Sequence, residues 1–329
     1  MIKTLFVLIL TSGLVQVAQG IDVLAYYFLR ESYPRLQEAH SSLTHVSFDN
    51  FVIDNRGNVK GNVLPPSALT FAKEKGLVNY LCVNNYGPND FNAKRIHRVL
   101  NNGKYRNRLI SQLMKKVTKQ GFNGINIDFE AIPARDRSKF TLFIRTLSAK
   151  LHAKNLELVI SVPAKTEDNP KDSWSGAFNY RALGEAADLI QIMTYDEHGP
   201  WSNPGPISSL PWVKSCINYA KTVIPLEKIS MGVPAYAYGW NTKTKKGYEV
   251  GWNEISETIG ENPIEWDEEA SSPFAYFQKN GKKHVIWFEN KQSLRLKMDF
   301  AKQAGIKGVS VWALYKDNAQ FWEYLLGSS

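Results

Sequence analysis

Eight short apolar runs recur along the chain, each followed by a helical pattern. They are IDVLAYYF (21–28), HVSFDNFVI (45–53), LVNYLCVNN (77–85), GINIDFE (124–130), LELVISVPA (156–164), DLIQIMTYD (188–196), KISMGVPAYAYGW (228–240) and KGVSVWALY (307–315). Their alternation with helical segments such as 105–120 and 291–304 predicts an α/β chain folded as a (β/α)8 TIM barrel, one domain over 21–329. Between 135 and 153, Phe140, Phe143, Ile144 and Leu147 recur at spacings of three and four, an amphipathic stripe for the barrel's outer face. Gly121 and Gly305 each follow a helical run and precede a strand, where a left-handed helix terminator belongs. The interval 241–285 is too long for an ordinary loop. It carries Tyr248, Val250, Trp252, Trp266, Phe274, Tyr276 and Phe277 between turn residues, which predicts a small α+β insertion between strands seven and eight.

The fourth run holds the most unusual pattern. In GFNGINIDFE (121–130), Gly124, Asn126, Asp128 and Glu130 share one face of a strand, and Ile125, Ile127 and Phe129 share the other. Same-face neighbours sit roughly 6.5–7 Å apart, so the two carboxyl groups lie close together. With the apolar face against helices, the amide and both acids point into the barrel, where unpaired polar groups are costly. In this architecture reactive groups gather at the C-terminal ends of strands. Glu130 ends the fourth run, Tyr195 and Asp196 end the sixth, and Trp312 lies late in the eighth.

Composition adds a setting. The 329 residues are 43% hydrophobic and 22% charged, enough for a large ordered core. The opening MIKTLFVLILTSGLVQVAQG has a lysine, an apolar run too short for a membrane span, and small residues before position 21. It reads as a secretory signal peptide, 1–20, cleaved near Gly20, and no other segment is a candidate span. Lys plus Arg exceed Asp plus Glu by 40 to 31, a formal charge of +9 that predisposes a secreted protein to anionic surfaces such as cell-wall polymers. No basic block or zinc spacing points to nucleic acid. Cys82 and Cys216 read as two buried thiols, and His198 has no partner spaced to complete a metal site, so neither metal nor cofactor is expected. A monomer is expected.

Three motifs carry a resemblance. GFNGINIDFE resembles the fourth-strand signature of family 18 glycoside hydrolases, DGxDxDxE, with Asn123 and Asn126 where that pattern more often has Asp. MTYDEHG (193–199) resembles the family's sixth-strand motif, and GVSVWALY (308–315) its eighth-strand motif with the tryptophan that floors the sugar site. The resemblance covers nearly all of 21–322, and its wording is most similar to the Bacillus-type spore cortex-lytic N-acetylglucosaminidase branch. It implies a retaining hydrolase in which the substrate's own acetamido group attacks the anomeric carbon. Glu130 would be the general acid and then the base, Asp128 would bind the acetamido N–H, Tyr195 its oxygen, and Asp196 the sugar. An amide at 126 cannot take a proton from Asp128, so Asn126 is expected to orient Asp128, to belong with the substrate-binding groups and to leave Asp128 more steadily ionised. Trp312 would stack under a sugar ring. Tyr26, Tyr236 and Trp201 are further substrate-binding candidates, and Tyr27, Tyr86, Tyr238 and Trp240 suit subsites or the core equally. The implied partner is peptidoglycan or another N-acetylglucosamine polymer. Chitin hydrolysis and glycan binding without turnover are the alternatives.

Overall fold

The computed structural model describes residues 20–88 and 90–327, so residues 1–19 of the expected leader lie outside the described residues. Among the described residues fourteen strands form two sheets: β1 (Asp22–Tyr27), β2 (His45–Ile53), β3 (Val59–Gly61), β4 (Val78–Asn84), β5 (Gly124–Asp128), β6 (Glu157–Pro163), β7 (Leu189–Met193), β8 (Ile229–Pro234), β9 (Tyr236–Asn241), β10 (Gly247–Gly251), β11 (Ile264–Asp267), β12 (Ser272–Lys279), β13 (Lys282–Trp287) and β14 (Gly308–Trp312). Strands β1, β2, β4, β5, β6, β7, β8 and β14 pair in parallel in chain order, and β1 pairs with both β2 and β14. The sheet is therefore a closed (β/α)8 barrel. The short β3 hangs antiparallel on β2.

Alternation along each strand separates two environments. Ile125 and Ile127 on β5, Ile160 and Val162 on β6, and Val309 and Val311 on β14 face the surrounding helices and are fully buried. Leu24, Tyr26, Tyr80, Cys82 and Val159 pack inside the barrel. The helix Arg137–His152 buries Phe140, Phe143, Ile144 and Leu147 completely against the barrel. Each large apolar side chain so buried contributes about 1.5–3 kcal/mol. Helices 103–120 and 291–304 stop where Gly121 and Gly305 adopt φ of 67° and 66°, a conformation that needs no Cβ.

The run 228–240 is two strands, not one. Pro234 ends β8, and Ala235 carries the chain into a second, antiparallel sheet of order β10-β9-β13-β12-β11. Pro234 lacks the N–H that a ladder needs, whereas Ala235 N–H donates to the Trp312 carbonyl at 2.8 Å and so pins the crossover to the barrel's eighth strand. The second sheet begins at Tyr236 and ends at Trp287, beyond 241–285 at both ends, and includes the short helix Ile255–Ile259. Cys82 and Cys216 are both buried free thiols. Among the described residues no helix is long and apolar enough to cross a membrane.

Candidate active site

The inward face of β5 is built in layers. Lowest is Asn126, fully buried, whose Oδ1 accepts from Ser47 Oγ at 2.8 Å and whose Nδ2 donates to Ser161 Oγ at 3.1 Å. Ser161 in turn shares a 2.9 Å hydrogen bond with the Tyr26 hydroxyl. Both ends of the amide are thus occupied by serines from β2 and β6. Asn126 thus braces the barrel interior, directly beneath Asp128. Tyr26, 2% exposed, belongs to the same brace, although its ring lies 5.3 Å from that of Trp312.

Above Asn126 lies Asp128, buried, and beyond the strand's end Glu130, half-buried at the barrel mouth. The β4–β5 ladder stops at Asn84 and Asp128, two residues short of Glu130. A side chain takes over there. Asn85 Oδ1 accepts from Glu130 N–H at 2.9 Å, and Asn85 Nδ2 donates to the Glu130 carbonyl at 2.8 Å, so a fully buried amide imitates one more step of the sheet. The next residue, Ala131, then turns the chain sharply with φ 52°, a left-handed conformation costing a non-glycine residue on the order of 1–3 kcal/mol.

Crowding of acids sets their protonation. Burial, then the charges of Asp128, Asp196, Asp49 and Asp90, hold the Glu130 carboxyl well above the ordinary range. Asp128 is pushed up to about 8 by burial and by Asp49, against a lowering hydrogen bond with Ser161. The expectation that an amide at 126 leaves Asp128 steadily ionised is therefore reversed. Asp49, from β2, supplies a negative neighbour that position 126 does not.

The end of β7 supplies the opposite wall. Tyr195 is 8% exposed and packs edge-on to Tyr236, with ring centroids 6.2 Å apart. Its ring fits because β8 has Gly232 beneath it: a Cβ there would lie 2.7 Å from Tyr195 Cε1. Asp196 follows in a left-handed conformation, φ 63°, and reaches into the mouth. Its Oδ1 accepts from the hydroxyls of Tyr236 at 2.6 Å and Tyr238 at 2.9 Å, while burial raises its carboxyl. Tyr236 thus positions Asp196 from a buried site. Trp312 is half-buried beside Tyr26 and Phe28, and Trp201 is 67% exposed, edge-on to Tyr238 at 5.8 Å. Tyr27 and Trp240 are fully buried in the core.

The sequence model described as Glycosyl hydrolases family 18 matches residues 22–317. The chain belongs to family 18. Within it, the chain is 36% identical over 298 residues to the uncharacterized glycosylase YvbX of Bacillus subtilis (strain 168), covering 89% of this chain and 86% of that one. Among solved structures, a chitinase from Chromobacterium violaceum superposes with TM-score 0.88 at 32% identity, over 94% of this chain and all of that one. The Bacillus cereus spore cortex-lytic enzyme SleL superposes with TM-score 0.84 at 26% identity, over 93% and 73%. The protein is a family 18 glycoside hydrolase similar to the Bacillus-type spore cortex-lytic branch and to chitinases.

Seen as a family 18 barrel, the chain holds three site residues that sequence reading passed over. Asp49 is one polar position inside an alternating strand, Asn85 ends an apolar run, and Gly232 sits mid-strand with no turn signal beside it. Only barrel closure shows what each faces. Asn123, the other departure from the family pattern, lies at the strand's opposite end, where its Oδ1 accepts from Asn79 N–H at 2.9 Å.

Proposed function

We propose that this family 18 hydrolase cleaves the β-1,4 bond on the reducing side of N-acetylglucosamine by substrate-assisted catalysis, and that its polymer is peptidoglycan, as spore cortex fragments. Glu130, protonated, gives its proton to the glycosidic oxygen as the C1–O bond breaks. The acetamido oxygen of the same sugar takes that bond's place at C1 and forms an oxazolinium ion, its N–H held by Asp128 and its oxygen kept in line by Tyr195. Water then attacks C1, Glu130 takes its proton, and the ring reopens with net retention. Asp196 binds the sugar and Trp312 floors it. The observation that carries this reading is Glu130 itself, clamped by Asn85 at the mouth with its carboxyl raised by burial and by Asp128, the state a general acid requires near neutral pH.

Two observations favour an anionic polymer. One is the similarity to cortex-lytic enzymes. The other is a basic end on the second sheet. Lys243, Lys245 and Lys246 in the β9–β10 turn and Lys279, Lys282 and Lys283 at the β12–β13 turn are all exposed. Pairing of β9 with β13, and a 3.0 Å hydrogen bond from Thr242 Oγ1 to the Lys283 carbonyl, bring the two turns together. Lys245 and Lys283 also line a groove of about 460 Å³ with Phe274, Tyr276 and Trp287, beside Pro204 of the loop that carries Trp201. Carboxylate-bearing strands would be drawn to such a surface. The leader would bring the enzyme to that polymer outside the cell. The likeness to a chitinase favours a second reading, neutral chitin chains in the same cleft.

Mass spectrometry of products from cortex fragments and from chitooligosaccharides, with Glu130→Gln as control, tests the proposal. Cortex products ending in reducing N-acetylglucosamine, absent with the variant, are expected. Products from chitooligosaccharides alone would move the substrate to chitin, and none from either would overturn the reading.

A further inference from the structure

Asp49 has no part in the roles above, yet it is built into the centre of the site. Its side chain is 4% exposed and accepts from Asn84 Nδ2 at 2.8 Å. A carboxylate oxygen of Asp49, the Cys82 sulfur and a carboxylate oxygen of Asp128 all lie within 4.8 Å of one another, and the Cys82 thiol is hydrogen-bonded to Asp49. Two buried carboxyls this close do not both ionise, because the interior gives neither water nor a counter-charge to separate their charges. The titratable groups that face the pair are Cys82 from β4, Glu130 beyond β5, Tyr26 from β1 and Tyr195 beyond β7, and among the described residues no Lys, Arg or His acts on either acid. Asn126, the residue directly below Asp128, is already committed to Ser47 and Ser161.

We propose that Asp49 is the proton partner of Asp128, supplying from β2 the acid that position 126 of β5 lacks, so that the pair holds one proton and one negative charge between them. The inference rests on the reading that Asp128 serves the acetamido group. In the resting site the proton sits on Asp128. When the oxazolinium forms, Asp128 must carry the negative charge beside its N–H. The proton leaves Asp128 for the Cys82 sulfur as the Cys82 S–H proton passes to Asp49, so each atom that gains a proton has a neighbour that loses one. The shift reverses when water opens the ring, and no net proton is made or consumed. The upward push on both carboxyls, from burial and, for Asp128, from the charge of Asp49, agrees with a pair that retains a proton. Asp49 acts through Asp128, so it is a positioning residue, not a group that touches substrate.

The variants Asp49→Asn and Asp49→Asn/Asn126→Asp test it. Asparagine at 49 keeps the volume and an acceptor for Asn84 but takes no proton. The single variant is expected to lose kcat by roughly tenfold or more with KM nearly unchanged. The basic limb of its pH–rate profile should move to lower pH, because one negative neighbour has left Glu130. The double variant returns an acid to β5, where the Ser47 hydroxyl already donates to the side chain at 126, and should recover most of kcat. A structural role for Asp49 would not be rescued from position 126. Wild-type kcat and profile in the single variant, or a loss that the double variant does not restore, would overturn the proposal. So would loss of activity on adding a chelator, which would place a cation between the three groups. The pair is also readable without substrate: infrared spectra of the free enzyme should show a protonated buried aspartate near pH 6 that changes in Asp49→Asn. Two ionised carboxylates there would defeat the pairing whatever the substrate proves to be, whereas a shared proton in an enzyme with no turnover would count against the proposed function alone.

Discussion

At the scale of single residues, the site depends on groups that hold acids in place as much as on the acids. Asn85→Ala removes both hydrogen bonds to the Glu130 backbone, and each buried partner left unpaired costs about 1–3 kcal/mol. A misplacement of the acid by ~1 Å costs about a hundredfold, so kcat should fall to near that extent while the chain still melts cooperatively. Glycosidase kinetics with a thermal melt would check this, and unchanged kcat would remove Asn85 from the machinery. Much at this scale was legible early. Glu130, Asp128 and Tyr195 are grouped in the structure as alternation and strand-end position suggested. Asn126 and Asp49 were not, because a strand's face tells which way a side chain points but not which neighbour on another strand it meets.

At the scale of elements, the strand ends do the positioning and the glycines make room. Gly232 is the clearest case, since a methyl group there would meet Tyr195 Cε1 and the Ile192 carbonyl, both at 2.7 Å. Gly232→Ala should cost about 1–3 kcal/mol of stability through overpacking and depress activity further by displacing Tyr195. Denaturant unfolding beside kinetics separates the two, and an active, fully stable variant would show that the ring has room. The barrel strands and the helix stripe of Phe140, Phe143, Ile144 and Leu147 were readable because their periods differ, 2 against 3.6. The break between β8 and β9 was not. Residues 228–240 remain apolar across it, because barrel and second sheet both bury them, and only Pro234 marks the change.

For the whole molecule, charge links the fold to the proposed polymer and to pH. Lys245→Glu/Lys283→Glu should slow hydrolysis of cortex fragments, most at low salt, and leave uncharged chitooligosaccharides nearly unaffected. Equal loss on both would assign the lysines to folding or to the cleft in general. The buried acids also set a stability trend. Asp49 and Asp128 have folded pKa values above those of the unfolded chain, which releases these protons near pH 4. Their favourable contribution is present below that point and is lost as pH rises toward the folded values. Asp49→Asn should therefore melt higher than wild type near pH 7, the difference closing below about pH 4. A melting series against pH reads this directly, and a variant less stable at all pH values would contradict it.

The central claim is that the substrate's acetamido group does the work of a nucleophile while Glu130 supplies the proton. Its most direct test is the rate on aryl N-acetylglucosaminides whose acetyl group carries no fluorine or one, two or three, since each fluorine weakens the carbonyl oxygen that must attack. A steep, monotonic fall in kcat across the series is expected, at least about tenfold from end to end. Equal rates would mean that another nucleophile attacks the anomeric carbon, and the roles given to Asp128 and Tyr195 would fall with the claim.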